Sequence, residues 1–187
     1  VPVHNYDPSG KFPEENARVG QGFSTDIFAQ AATEFLHQYS GQDPFCLYVA
    51  FTAPHDPRTP PGEFAYNPND LELPKNFLVQ HPFDNGEMDV RDELLADYPR
   101  TEGAIKQHLA DYYGMISHLD SAIGKILETL DETGFSKNTL VVYTADHGLA
   151  LGQHGLLGKQ NLYEHSIKVP FIVRGPQAPT NVRSDAF

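Results

Sequence analysis

Apolar positions along this chain recur with two different periods, and the alternation predicts the order of elements. Residues 1–22 are rich in Pro, Gly, Asn and charge and read as irregular. From Ser24 the pattern becomes helical. Phe28, Ala32, Phe35 and Tyr39 recur at three- and four-residue spacing, as one face of a helix requires. Ser24, Thr25 or Asp26 offers a side-chain oxygen for its first turn, and Gly41 supplies a stop. The run P-F-C-L-Y-V-A-F over 44–51 is apolar throughout, which predicts a strand covered on both faces, as in a parallel sheet. Residues 56–100 hold many prolines and few apolar runs, and read as a long surface excursion. The clearest helix is Glu102 to Thr133. Its apolar stripe runs through Ile105, Leu109, Tyr112, Ile116, Leu119, Ile123, Ile126 and Leu130, and Gly134 ends it. Two short apolar runs follow, Leu140–Ala145 and Val169–Val173, with a glycine-rich polar loop between them. This order predicts an α/β fold: part of a doubly wound, mostly parallel sheet flanked by helices.

Composition narrows the partners. The 187 residues are 40% hydrophobic and 20% charged, with a net charge of −12, and are numerous enough for a real core. No basic field exists to attract nucleic acid or an anionic membrane. No transmembrane segment is expected, and no signal peptide is visible. The chain begins with Val1 rather than Met, and reads as a piece of something longer. Its single cysteine, Cys46, lies in an apolar run and reads as a small buried hydrophobe. The polar residues beside the long helical stripe, Asp111, His118 and Asp120, read as a solvated or locally paired face.

Candidate chemistry gathers between Thr139 and Gly175. The first apolar run ends on Asp146 and His147, followed at once by Gly148. A carboxylate and an imidazole are both metal-ligand types. Adjacent strand residues point to opposite faces, so two such ligands converge only where the backbone turns, and Gly148 permits the turn. Lys159 lies beyond Gly155 and Gly158 and can act as a point charge for an anionic oxygen. Spacing alone reads equally well as a strand-exit turn beside a solvated loop lysine. His55, in T-A-P-H-D-P, stands just past the end of the 44–51 run, at the same kind of edge. A histidine in a proline-rich loop is more often structural; its address raises its interest.

Taken together, P-F-C-L-Y-V-A-F-T-A-P-H-D-P and N-T-L-V-V-Y-T-A-D-H-G-L-A-L-G-Q-H-G-L-L-G-K-Q-N-L-Y-E-H-S-I-K-V-P-F-I-V-R-G-P resemble the type I sulfatases of the alkaline phosphatase superfamily. The resemblance extends, more loosely, over nearly the whole chain, and corresponds to the middle and later part of a sulfatase catalytic domain. It implies a sulfuric ester hydrolase. It also implies a divalent cation, usually calcium, held by carboxylates and by an aspartate followed by Asn or His, which Asp146 and His147 match. A loop lysine on the sulfate group corresponds to Lys159. A histidine that contacts the ester oxygen and assists the leaving group corresponds to His55. The substrate implied is a sulfated small molecule or carbohydrate, and the parent protein is expected to be secreted or periplasmic. His154 and Glu164 fit the loop pattern without a role, and His165 reads as structural.

The family's nucleophile is a formylglycine made from the first position of C-x-P-S-R. No such motif occurs here, and Cys46 in F-C-L-Y does not replace it. The family's amino-terminal paired aspartates are also missing from the sequence. The expectation is therefore weak metal binding and no activity for this polypeptide alone. Two alternatives stay open: a phosphomonoesterase or phosphodiesterase of the same superfamily, and a non-catalytic segment that binds a ligand or partner. The sequence leaves the oligomeric state open.

Overall fold

A computed structural model describes residues 2–4, 17–41, 43–84, 86 and 88–184. They fall into two compact units, one of residues 1–64 and 114–136, the other of 65–113 and 137–187. Most of the irregular stretch read at 1–22 lies outside the described residues, but Pro2–His4 (β1) and Ala17–Val19 (β2) pair as an antiparallel ladder.

In the first unit, helix α1 covers Ser24–Gln38. Its N-cap is Phe23, whose side chain makes no cap bond; the Phe23 carbonyl accepts from Ile27 N at 3.2 Å. The helix thus starts one residue earlier than a polar cap requires, and Ser24, Thr25 and Asp26 lie inside its first turn. Asp26 is favourable there against the helix dipole. The buried face is Thr25, Ala29, Ala32 and Leu36, so the stripe is centred one position from the expected one. Phe28 and Phe35 border it and are half-buried. Phe35, Tyr39, Phe45 and Phe135 form an aromatic cluster with ring centroids 5.2 to 6.0 Å apart, edge-to-face except for the tilted Phe35–Tyr39 pair.

The run at 44–51 forms no strand. A strand exists by its ladder, and among the described residues none pairs with this segment. Phe45 and Phe51 turn toward α1, while Tyr48 is 89% exposed. Cys46 is exposed rather than buried, because its side of the segment has no cover. His118 is a second correction. It lies in the buried part of the long helix, donates toward Asp26 Oδ1 at 3.1 Å, and sits against Phe23 and Phe64.

Helix α2 covers Glu102–Glu132. Thr101 Oγ1 caps it by accepting from Ala104 N at 3.2 Å. Gly134, at φ 76°, ends it in the left-handed conformation that an L side chain resists. In the second unit Ile105 and Leu109 of α2 pack with Leu151 and Leu157 as a buried cluster. Each such side chain stabilises the fold by roughly 1.5–3 kcal/mol. The glycine-rich loop is therefore not simply polar: its leucines are core.

The apolar runs after the helix become β3, Val141–Thr144, and β4, Phe171–Arg174. They pair antiparallel, with Val141 opposite Arg174 and Thr144 opposite Phe171. Both described ladders are antiparallel. The loop between β3 and β4 brings the chain back on itself, whereas parallel neighbours need a crossover. A short helix, α3, Glu164–Ile167, precedes β4. Among the described residues no helix is long and apolar enough to cross a membrane.

Candidate active site

The turn after β3 carries Asp146 and His147 side by side. Asp146 Oδ1 accepts from the His147 backbone N–H at 3.0 Å. His147 Nδ1 donates to the Gly148 carbonyl at 2.8 Å. His147 Nε2 lies 3.5 Å from Asp146 Oδ2. The Asp146 side chain is 88% exposed. Gly148 makes the turn possible for a specific reason: a Cβ there would meet the His165 carbonyl oxygen at 2.0 Å. Its N–H donates to the Ser166 carbonyl at 2.7 Å, which fastens the turn to α3.

These two donors fit the edge of a hard-cation site but do not complete one. Calcium takes 6–8 oxygen ligands at about 2.3–2.6 Å. Among the described residues no group of three His, Cys, Asp or Glu side chains is placed to hold a metal.

Lys159 sits at the end of a loop built into the core. Ala150 N donates to Gly158 O at 3.0 Å and Gly152 N to Leu156 O at 2.9 Å, drawing the loop into a narrow hairpin. Beneath it lie residues the sequence reading passed over, Asp92, Glu93 and Arg100, each at most 3% exposed. Glu93 accepts from Leu157 N at 3.0 Å and from Gly158 N at 2.7 Å. It also pairs with Arg100 Nη2 at 2.6 Å and accepts from Tyr98 Oη at 3.1 Å. Arg100 donates to the carbonyls of Ala96 and Gly155 as well, and its guanidinium lies 3.8 Å from the Tyr98 ring centroid. Burial, and next the Glu93 charge, push the Tyr98 hydroxyl up to about 12.

Asp92 belongs to the same network. Its Oδ2 lies 3.6 Å from Lys159 Nζ and accepts from Gln160 Nε2 at 3.0 Å; its Oδ1 accepts from Arg91 at 3.0 Å. Burial pushes the carboxyl up, but the Gln160 and Arg91 hydrogen bonds and the Lys159 and Arg91 charges outweigh it, and the pKa is lowered. The one available signal was the charged string R-D-E-L-L-A-D-Y-P-R between leucines and a proline, and nothing in it points to the loop it holds.

His55 lies in the first unit, in a turn where its N–H donates to the Thr52 carbonyl at 2.9 Å. Its Nδ1 donates to the Asp56 carbonyl at 2.8 Å, and its side chain is 41% exposed. His154, at φ 56°, stacks on Tyr163 at 4.3 Å between centroids, and its carbonyl accepts from His81 Nδ1 at 2.8 Å. Glu164 is solvent-exposed and paired with Lys168. Burial, with a smaller contribution from the His154 charge, lowers His165 from 6.5 to about 4, in keeping with its structural reading.

The family model described as Sulfatase matches residues 3–187. The choline-sulfatase of Rhizobium meliloti is 32% identical over 161 residues, covering 81% of this chain and 31% of that protein. The human N-acetylglucosamine-6-sulfatase is 29% identical, covering 97% of this chain and 33% of that protein. Among solved structures, BT4656 in complex with its substrate D-glucosamine-2-N,6-O-disulfate superposes with a TM-score of 0.71 at 23% identity, over 88% of this chain and 45% of that one. The shared fold bears out the α/β, sulfatase-like class. The chain spans about a third of the length of the curated relatives it matches.

Proposed function

The chain belongs to the sulfatase family, and from that premise we propose that it supplies the middle-to-later part of a catalytic domain that hydrolyses sulfate esters. The observation that carries this reading is Lys159, a cation held in place at the end of a core-packed glycine loop. A fixed ammonium binds an anionic oxygen without reorganising at the moment of reaction. In this reading Lys159 takes a sulfate oxygen, while for His55 the family resemblance alone assigns the part of proton donor to the departing alkoxide. Asp146 and His147 give two ligands to a divalent cation, calcium by family resemblance, which when bound neutralises further sulfate charge. A formylglycine, absent from this sequence, would supply the nucleophile. The alcohol portion is proposed to be carbohydrate, in keeping with the N-acetylglucosamine-6-sulfatase among the relatives.

The test is hydrolysis of 4-nitrophenyl sulfate and of N-acetylglucosamine 6-sulfate by the protein expressed from its whole reading frame, beside the 187-residue polypeptide. The whole protein is expected to release sulfate and the polypeptide alone to release none. Lys159→Ala should lower kcat/KM by about 10²–10³, the size of losing one preorganised oxyanion contact. Release of phosphate from the corresponding phosphate ester with no release of sulfate would move the assignment to phosphate-ester chemistry.

A further inference from the structure

Asp92 is a nearly buried carboxylate with no place in the sequence motifs, and its two oxygens divide their work. Oδ1 faces the Arg91 guanidinium at 3.0 Å. Oδ2 faces both Lys159 Nζ at 3.6 Å and Gln160 Nε2 at 3.0 Å. Gln160 in turn accepts from the Lys159 backbone N–H at 3.0 Å through its Oε1. One oxygen therefore holds Lys159 at both ends: the ammonium directly, and the backbone through the Gln160 amide.

We propose that Asp92 is a positioning residue for Lys159, fixing through this two-point clamp where the ammonium meets the anionic group of the substrate. The inference rests on the sulfatase reading for what Lys159 binds, but the clamp itself stands on geometry. Lysine is a point charge on a flexible four-carbon stem with many rotamers. A free loop lysine would lose that freedom each time it bound an anion. The clamp removes it beforehand, because the Asp92 side chain is only 4% exposed and cannot follow the lysine outward. Gly158 presses the loop onto this floor: a Cβ there would meet Gln160 Oε1 and Glu93 Oε1 at 2.7 Å.

A carboxylate beside an anion-binding lysine raises the question of repulsion. Arg91 and Lys159 both put positive charge against Asp92, which offsets the repulsion that a lone carboxylate would present to an anion. An ammonium has three donors, and Asp92 occupies one direction.

Acylation of lysines by acetic anhydride, read by peptide mapping, tests the clamp without any need for activity. Lys168, 74% exposed, is the internal reference. In the protein from the whole reading frame, Asp92→Asn is expected to raise Lys159 labelling several-fold relative to Lys168. Asp92→Glu should return it toward the parent value, and Gln160→Leu should fall between. Equal labelling of Lys159 in Asp92→Asn and the parent protein overturns the proposal. Should Asp92→Asn fail to fold, Gln160→Leu decides: its substitution is at the exposed end of the clamp, and unchanged labelling there also overturns it. In parallel, kcat/KM on the sulfate ester should fall about tenfold in Asp92→Asn, the effect of one charge-assisted contact, with partial rescue by Asp92→Glu. Raised labelling with unchanged kinetics would leave the clamp standing and remove Lys159 from the proposed reaction. A parent protein without sulfate-ester hydrolysis would overturn the functional reading alone.

Discussion

The loop that carries Lys159 and the turn that carries Asp146 and His147 belong to one unit, yet they are held in opposite ways. The lysine loop is fastened from beneath by Asp92, Glu93 and Arg100, all nearly buried. Its leucines are core and its backbone N–H groups at 157 and 158 end on a carboxylate. Among the described residues the turn after β3 is fastened at Gly148, and its two candidate donors bond to their own neighbours along the chain. The difference teaches how such a site divides its work. In the proposed reading, a point charge that must meet an oxygen at a fixed place is built into the core, whereas a candidate pair of metal donors can stay exposed, because a cation with further ligands would order them on binding.

The comparison breaks most severely at Arg100. Arg100→Ala leaves Glu93 as an unpaired carboxylate in the interior, the costly way to break a buried pair, with a loss of about 3–5 kcal/mol. Urea titration should show the drop, and hydrogen exchange should show it at Leu157 and Gly158, whose amides end on Glu93. An effect below about 1 kcal/mol would mean that the loop holds itself, and the contrast between the two regions would vanish.

A smaller effect should appear with pH at the floor of the ligand turn. Burial, and then His154, lower the His165 pKa from 6.5 to about 4, so the folded protein keeps this imidazole neutral. The unfolded chain takes up a proton as pH falls below 6.5, and the folded one does so only near 4. Its contribution to stability is complete above 6.5 and is lost as pH falls through about 4. Because His165 is only half-buried, solvent screens the effect and it stays below the Arg100 loss. Thermal melts between these two pH values should show a shallower slope in His165→Gln than in the parent protein. An identical slope would separate the turn from its histidine.

What could be read from sequence follows the distance between partners along the chain. Asp146, His147 and Gly148 are consecutive, so the strand end and the turn that carries this candidate pair were visible at once. The two long helices were visible because their stripes repeat over many turns. Asp92 and Lys159 are separated by the core that joins them, and no local pattern marks a carboxylate whose partner lies in another loop. The run at 44–51 failed for a related reason. An apolar stretch shows that residues seek cover, whereas a strand needs a partner ladder, and that is a property of distant residues. Cys46 and Tyr48 are exposed for the same cause.

The smallest effect belongs to an ion pair of the ordinary surface kind. Lys168 Nζ lies 4.0 Å from Glu164 Oε2, with the side chains 74% and 84% exposed. Both charges are in water, and holding two long side chains together offsets most of their attraction, so Lys168→Ala should cost no more than about 0.5 kcal/mol. The pair spans α3 from Glu164 to its C-cap Lys168, beside the backbone that fastens Gly148, so it shares the location of that turn without sharing the burial of the lysine clamp. If denaturation of Lys168→Ala shows a loss as large as that of Arg100→Ala, burial is not what separates the two regions, and proximity to the site would have to replace it as the explanation. If the loss is within the expected range, the lysine loop owes its fixity to the desolvated carboxylates beneath it, and charge pairs at the rim add little.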